Sequence, residues 1–165
     1  MLSKKDLKTI ELGAGCGIVG ITLATFYPQI SSVLLTDLPE AADILIQNLT
    51  SSTLHHRIRS RIDHQVLDWA SPLPSNVKAT KWDLVVVADC TYNPDVVPDL
   101  VQTLKKIGEG NEDVVVLLAM KVRHDSEMVF FKLMNEAGFV VKEKCALPLP
   151  VLGGEDEEIE IFVFG

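Results

Sequence analysis

A short apolar strand pattern runs into a group of glycines near the start of the sequence, and the candidate binding chemistry begins there. Glu11 ends the strand pattern, and glycines follow at positions 13, 15 and 17. A backbone without Cβ atoms can turn sharply and lets a ligand approach closely, while the helix predicted behind it offers unpaired N–H groups. Asp37 stands about twenty residues further on, where an acid that binds a ribose is expected. The spacing predicts a nucleotide-type binding corner.

The glycine spacing alone fits two classes of ligand. Residues 15–20 satisfy the G-x-G-x-x-G pattern of dinucleotide-binding proteins. Glu11 followed by Gly-Ala-Gly-Cys-Gly at residues 13–17 instead resembles the first motif of S-adenosylmethionine (AdoMet) methyltransferases, whose loop cradles the methionine part of the cofactor. The cofactor-binding residues that this resemblance implies are Glu11, Gly13, Gly15, Cys16 and Gly17.

Two later acids carry further parts of the predicted cofactor site. Asp37, followed by Leu38, could accept hydrogen bonds from both ribose hydroxyls. The alternative interpretation, a cap for the helix that starts at Pro39, is compatible with that role. Asp68-Trp69 resembles the motif at which the family meets the adenine amino group. As plain sequence features, the pair could equally be a turn Asp and a half-buried Trp.

The stretch Ala-Asp-Cys-Thr-Tyr-Asn-Pro at residues 88–94 stands where these enzymes meet their acceptor. Asp89-x-x-Tyr92 resembles the D-x-x-Y motif of the family 16 methyltransferase-like protein-lysine methyltransferases. The resemblance implies that Ala88 contacts the cofactor, that Asp89 orients the lysine ammonium and that Tyr92 lines the lysine slot. The longer string with the helix after it suggests the branch that modifies elongation factors. The alternative is an Asp turn and a core Tyr.

Strand and helix patterns alternate along the sequence, which is typical of a mostly parallel sheet covered on both faces. The last two strand patterns are separated by a stretch too short for a crossover helix, so we expect an antiparallel pair with one strand inserted in the sheet. This gives an α/β, doubly wound, Rossmann-like sheet of seven strands. Strands are predicted at 10–12, 32–37, 62–67, 82–88, 114–120, 139–145 and 159–164. Helices are predicted at 16–26, from 39, at 95–107 and from Ser126, with a loop at 71–76.

Composition and net charge limit the kinds of partner that the sequence predicts. The 165 residues predict one domain over positions 1–165, and the net charge of −8 argues against nucleic-acid binding and favours a basic protein substrate. Three cysteines without CxxC spacing indicate neither a disulfide framework nor a metal site. No signal peptide or membrane span is recognisable, so we expect a soluble, cytoplasmic protein, with the nucleus as a second compartment. A monomer is expected.

The sequence departs from the resembled family at its start. About seven residues precede the first predicted strand, whereas family members carry a further N-terminal segment that helps close over AdoMet. We therefore predict an AdoMet-dependent protein-lysine methyltransferase domain without that extension. Two alternatives stay open: a methyltransferase-fold binding module without catalysis, and a nicotinamide-binding Rossmann domain.

Overall fold

Seven strands and five α-helices alternate along the part of the chain that the computed structural model describes, residues 4–55, 58, 60–121, 128–149 and 157–165. The strands are β1 (Leu7–Leu12), β2 (Ile30–Asp37), β3 (Arg61–Val66), β4 (Leu84–Ala88), β5 (Val115–Met120), β6 (Val141–Leu149) and β7 (Glu157–Phe164). The helices are α1 (Ile18–Phe26), α2 (Ala42–His55), α3 (Ser75–Ala79), α4 (Val97–Gly108) and α5 (Met128–Glu136), with one 3₁₀ turn at Pro39–Ala41 before α2. The helix start predicted at Ser126 lies outside the described residues.

All seven strands belong to one sheet in the order β3-β2-β1-β4-β5-β7-β6. In this order, each neighbouring pair among β3, β2, β1, β4 and β5 is parallel. Strand β7 pairs antiparallel with both β5 and β6. The predicted fold class, including the inserted strand of the C-terminal pair, is confirmed. The chain order reverses between β1 and β4, and ligands of open parallel sheets bind at the carboxyl ends of the strands beside such a reversal.

The two faces of the sheet carry separate cores. Ile21 and Ala24 of α1 and Leu45 of α2 pack with β1 and β2 on one face. The other face is covered by α3, α4 and α5, and α4 buries the apolar residues Val97, Leu100, Val101, Leu104 and Ile107. Burying such a side chain contributes about 1.5–3 kcal/mol, so both layers hold the carboxyl ends of the strands in place.

Several boundaries differ from the sequence-based expectation, and three of these differences have a specific physical reason. Helix α1 begins at Ile18 rather than at residue 16, because Gly17 has a left-handed backbone (φ 81°) that a right-handed helix cannot include. Residues 75–79 form the short helix α3 where a loop was predicted to reach residue 76, and five residues are too few to show a helical period. Strand β6 continues through Pro148, because an edge strand tolerates a residue without an N–H group.

Candidate active site

A cavity of about 500 Å³ opens at the carboxyl edge of the sheet, beside the reversal of strand order. The loops that follow β1, β2, β3 and β4 and the first turn of α4 form its walls. Its lining contains nine of the predicted site residues: Gly13, Gly15, Asp37, Leu38, Asp68, Trp69, Ala88, Asp89 and Tyr92. Leu67, Ala70, Cys90, Asn93, Val96 and Asp99 complete it. The residues predicted to contact the cofactor and those predicted to contact the acceptor therefore line the same cavity.

The glycine loop presents its backbone to this cavity. A Cβ at Gly13 would lie 2.5 Å from Cys90 Sγ and 3.2 Å from the ring of Trp69, so only a glycine fits between them. Gly15 has nothing within 4 Å of the corresponding position and adopts a φ of 55°, which leaves its backbone open to a ligand. Cys16 is exposed, Gly17 is buried, and neither lines the cavity.

Asp37 ties the end of β2 to the glycine loop. Its Oδ2 accepts a hydrogen bond of 2.7 Å from the backbone N–H of Gly15, and its Oδ1 accepts one of 2.7 Å from Leu38. A carboxylate has about four lone-pair positions, so capacity remains for the two hydroxyls of a ribose. Leu38 occupies the capping position of the 3₁₀ turn that starts at Pro39, and no side-chain cap bonds there. The alternative interpretation of Asp37 as that cap is therefore wrong.

Asp68 and Trp69 form the wall that follows β3. The carboxylate of Asp68 accepts hydrogen bonds of 3.0 Å from Ala70 N–H and from Ser71 Oγ, which makes it a turn-forming Asp. Trp69 is half-buried, and its carbonyl accepts a hydrogen bond of 3.4 Å from Thr103 in α4. The alternative interpretation of this pair from the sequence, a turn Asp and a half-buried Trp, agrees with the structure. It is compatible with an adenine contact, because both residues also line the cavity.

The residues predicted to meet the acceptor lie where β4 ends. Asp89 is exposed and has a φ of 54°, which is unusual for a residue with a side chain, and its N–H bonds Ala119 O across 2.8 Å. Tyr92 is 65% exposed at the mouth of the cavity, so it is not the core Tyr of the alternative interpretation. Asn93 and Val96 follow Tyr92 on the same wall.

Cys90 fills the space between the two strands at the reversal. Burial raises the pKa of its thiol to about 12, so the group stays protonated. The S–H group lies 3.4 Å from Leu12 O and 3.2 Å from Ala88 O. Cys90 is a packing residue in the cavity wall, because a protonated, buried thiol is a poor nucleophile.

Glu11 is 1% exposed and does not line the cavity. Its Oε2 accepts a hydrogen bond of 2.9 Å from the N–H of Gly20 in α1. Burial raises the pKa of the Glu11 carboxyl to about 7, the Gly20 hydrogen bond opposes this rise, and the charge of Asp37 adds to it. The alternation of side chains along β1 indicates this direction of Glu11 from the sequence, because Leu7, Thr9 and Glu11 share the face covered by α1.

Asp99 is the acidic lining residue that sequence reasoning did not assign. It lies in the first turn of α4, where the helix dipole favours a negative charge. With Asp37, Asp68 and Asp89 it gives the cavity four carboxylates, and no Lys or Arg is among the described residues that line it. The cavity therefore favours a cationic ligand.

The described residues contain no group of three or more His, Cys, Asp or Glu side chains placed to hold a metal ion. Within the same residues, no helix has the length and apolar character that crossing a bilayer requires.

Comparisons with known proteins identify the family of the chain. A family model described as lysine methyltransferase matches residues 2–137. Protein N-lysine methyltransferase METTL21A of Mus musculus is 32% identical over 84% of this chain and 60% of its own length. EEF1A lysine methyltransferase 3 of Mus musculus is 33% identical over 78% of this chain and 52% of its own length. The chain thus spans 60% and 52% of the length of these two relatives.

Solved structures share the fold at low sequence identity. A SAM-dependent methyltransferase from Methanosarcina mazei superposes with a TM-score of 0.68 at 13% identity, over 98% of this chain and 92% of that one. A putative tRNA (m1A22) methyltransferase from Streptococcus pneumoniae, solved with S-adenosyl-L-methionine, gives 0.67 at 14% identity, over 98% and 66%. Because the family model covers most of its length, the chain belongs to the lysine methyltransferase family.

Proposed function

We propose that this domain uses S-adenosyl-L-methionine to methylate a lysine side chain of a protein substrate. The observation that carries the proposal is that the glycine loop and the Asp89-x-x-Tyr92 motif line the same cavity of about 500 Å³. An in-line transfer requires the methyl donor and the acceptor nitrogen to be held together in one place. Cavities of this size suit a small-molecule cofactor.

The charges of the cavity fit AdoMet better than a dinucleotide. The sulfonium and ammonium groups of AdoMet are attracted by carboxylates, whereas the pyrophosphate of a dinucleotide is repelled by them. The open space over Gly15 admits a ligand against the backbone of the loop. AdoMet supplies an electrophilic methyl group when it is bound. The nicotinamide alternative is disfavoured, because the described lining has four carboxylates and offers no Lys or Arg to a phosphate.

Four residues would hold the nucleoside part of the cofactor. Asp37 would accept hydrogen bonds from the ribose hydroxyls, since it is fixed by the loop and by Leu38 and has lone pairs to spare. Asp68 would accept a hydrogen bond from the adenine amino group, and the indole of Trp69 offers an apolar wall beside it. Ala88 contributes backbone where β4 ends.

Asp89 and Tyr92 would receive the acceptor. A lysine amine has a pKa of about 10.4 in water and must be neutral when its nitrogen attacks. Asp89 would orient the incoming ammonium at the end of β4, and Tyr92 would line the slot and hydrogen-bond near the amine. Val96 offers an apolar contact for the lysine stem. Removing the lysine side chain from water destabilises the charged form of the amine and so favours the neutral form, which is the reactive one.

We further propose a translation elongation factor as the substrate and the cytoplasm as the place of action. The support is the string at residues 88–94 together with the similarity to proteins named EEF1A lysine methyltransferase 3. A basic protein surface complements the net charge of −8.

Methyl incorporation tests the proposal. The purified chain is incubated with labelled AdoMet and either purified elongation factor 1A or a cell extract. We expect incorporation into lysine, and we expect Asp89→Ala and Tyr92→Phe to reduce it at least about tenfold, the range for loss of a group that orients a reactant. Asp95→Ala and Tyr27→Phe are matched controls, because both residues are exposed and outside the cavity lining. Equal rates in all variants would contradict the acceptor assignment.

A thermal melt with ligands, combined with the methylation assay, distinguishes the proposed enzyme from a methyltransferase-fold binding module without catalysis. S-adenosylhomocysteine should raise the melting temperature and NAD should not, because a ligand that binds only the folded state stabilises it. A stabilised protein that incorporates no methyl group into any protein would favour the binding module without catalysis. A melt that neither compound changes would contradict the cofactor assignment.

A further inference from the structure

The buried Glu11 carboxylate lies outside the cavity, yet it is hydrogen-bonded to the helix that the cavity loop enters. Helix α1 begins after Gly17, which has no side chain and provides no side-chain cap. The first N–H groups of a helix have no partner within the helix and need one from elsewhere. Glu11 Oε2 accepts a hydrogen bond of 2.9 Å from Gly20, the third residue of α1. Glu11 therefore caps α1 from the neighbouring strand.

The packing around this hydrogen bond leaves little freedom. A Cβ at Gly20 would lie 2.5 Å from Glu11 Oε2 and would also overlap the side chain of Leu35. Thr36 Oγ1 donates a hydrogen bond of 2.7 Å to the carbonyl of Glu11, which fixes the other end of the same residue. The start of α1 is thus held at a set distance from β1 and β2.

The glycine loop is held at three further points between β1 and α1. Ala14 N–H bonds Thr36 O at 3.0 Å, Gly15 N–H bonds Asp37 at 2.7 Å, and Asn48 of α2 donates a bond of 2.8 Å to Cys16 O. The Glu11–Gly20 bond is the anchor on the α1 side. Loss of that bond would free the first turn of α1 to move and would release the loop from one of its two ends.

We propose that Glu11 is a positioning residue for the cofactor: it reaches Gly20, caps α1 and thereby holds the glycine loop in the shape that lines the cavity. This inference deepens the proposed function and rests on it. The role belongs to the acceptor oxygen and to the length of the side chain, and direct contact of the carboxylate with the ligand is not part of it.

Two substitutions distinguish the effect of the length of the Glu11 side chain from the effect of its charge. Glu11→Gln keeps an acceptor oxygen at the same distance and removes the charge. Glu11→Asp keeps the charge and shortens the side chain by one methylene, so that it cannot reach Gly20 without moving the backbone. The affinity for S-adenosylhomocysteine is measured by calorimetry at a temperature well below the melting point of each variant. We expect Glu11→Gln to bind within about threefold of the unmodified protein and Glu11→Asp to bind about tenfold more weakly or worse.

Amide exchange gives a readout that does not depend on ligand affinity. The Gly20 N–H should exchange with solvent faster in Glu11→Asp and unchanged in Glu11→Gln, because only the shorter side chain leaves it without an acceptor. Val116→Ala is the control for general destabilisation, since Val116 is buried in β5 on the opposite face of the sheet. It should lower the melting temperature while leaving both the Gly20 exchange rate and the affinity unchanged.

The reverse order of the two variants would overturn the inference. If Glu11→Asp binds normally and Glu11→Gln binds weakly, the carboxylate acts on the ligand through its charge. If both variants bind normally, the anchor is not needed. In either case the unmodified protein still binds S-adenosylhomocysteine, so the proposed function stands. Failure of the unmodified protein to bind would contradict the proposed function itself, and with it this inference.

Discussion

The Sγ atom of Cys90 occupies the space in which a side chain at Gly13 would lie, 2.5 Å from the position of a Cβ there. The same thiol lies within hydrogen-bonding distance of Leu12 O and Ala88 O, the carbonyls at the ends of β1 and β4. These are the two strands between which the order of the sheet reverses. A glycine and a cysteine thus close the floor of the cavity, and each requires the other to be small.

We expect Gly13→Ala to lower the free energy of unfolding by about 3 kcal/mol, because it adds an overlap with Cys90 to the strain of a residue at φ 68°. The double variant Gly13→Ala/Cys90→Ala should recover part of that loss, since it removes the overlap and leaves the strain. Urea unfolding of the unmodified protein, both single variants and the double variant measures the coupling. Additive effects of the two substitutions would contradict the contact.

Asp37 should be required for cofactor affinity through its two oxygens. In Asp37→Asn one acceptor oxygen becomes an NH₂ group, which then faces the N–H of Gly15 or of Leu38. We expect the affinity for S-adenosylhomocysteine to fall by about ten- to a hundredfold, as for the loss of a charge-assisted hydrogen bond. Calorimetry measures it. Asp95→Asn, an exposed acid outside the cavity lining, is the matched control and should bind normally.

The buried carboxyl of Glu11 predicts a pH dependence of stability. Burial raises its pKa in the folded protein from 4.5 to about 7. Between these values the folded state binds more protons than the unfolded state, so stability falls as pH rises through this window. The full penalty, reached above pH 7, is about 3 kcal/mol from the size of the shift.

Glu11→Gln is neutral at every pH and should remove this dependence. Its free energy of unfolding relative to the unmodified protein should rise by about 3 kcal/mol between pH 4.5 and 8. Urea unfolding of both proteins across this range provides the comparison. Glu109→Gln, which changes an exposed residue at the end of α4, is the control and should follow the unmodified protein. Parallel curves for Glu11→Gln and the unmodified protein would show that Glu11 titrates normally.

Sequence periodicity carried most of the fold, because buried strands and amphipathic helices leave long patterns. The strand predicted at 82–88 contains the apolar run at 84–87, and in the structure β4 lies between two parallel neighbours, where both of its faces are covered. The five residues of α3 are too short to show a period. Continuation of β6 through Pro148 depends on its place at the sheet edge, which no local pattern reveals.

The candidate site was predictable in its residue types and less so in its side-chain directions. The motif at 88–94 placed Asp89 and Tyr92 on the cavity wall because they follow a strand that ends there. Asp99 could not be assigned in the same way, since its position depends on how α4 crosses the sheet edge. Glu11 has the residue type and spacing of the motif, but alternation along β1 directs it towards α1 and away from the cavity.

Asp99 should contribute to binding of the acceptor rather than of the cofactor. It lines the cavity from α4, on the wall formed by Tyr92, Asn93 and Val96. The positive end of the α4 dipole opposes a cationic lysine at this wall, and a carboxylate in the first turn offsets it. We expect Asp99→Asn to raise the KM for the protein substrate about three- to tenfold, with the affinity for S-adenosylhomocysteine unchanged.

Steady-state methylation kinetics at two salt concentrations would check this expectation. The difference in KM between Asp99→Asn and the unmodified protein should shrink as salt rises, because Asp99 is only partly buried and salt screens its charge. Glu109→Gln at the far end of α4 removes the same charge outside the cavity lining and should leave KM within about twofold, since surface charges far apart interact weakly. A KM that is unchanged in Asp99→Asn, together with a weaker affinity for S-adenosylhomocysteine, would instead place Asp99 on the cofactor side of the cavity.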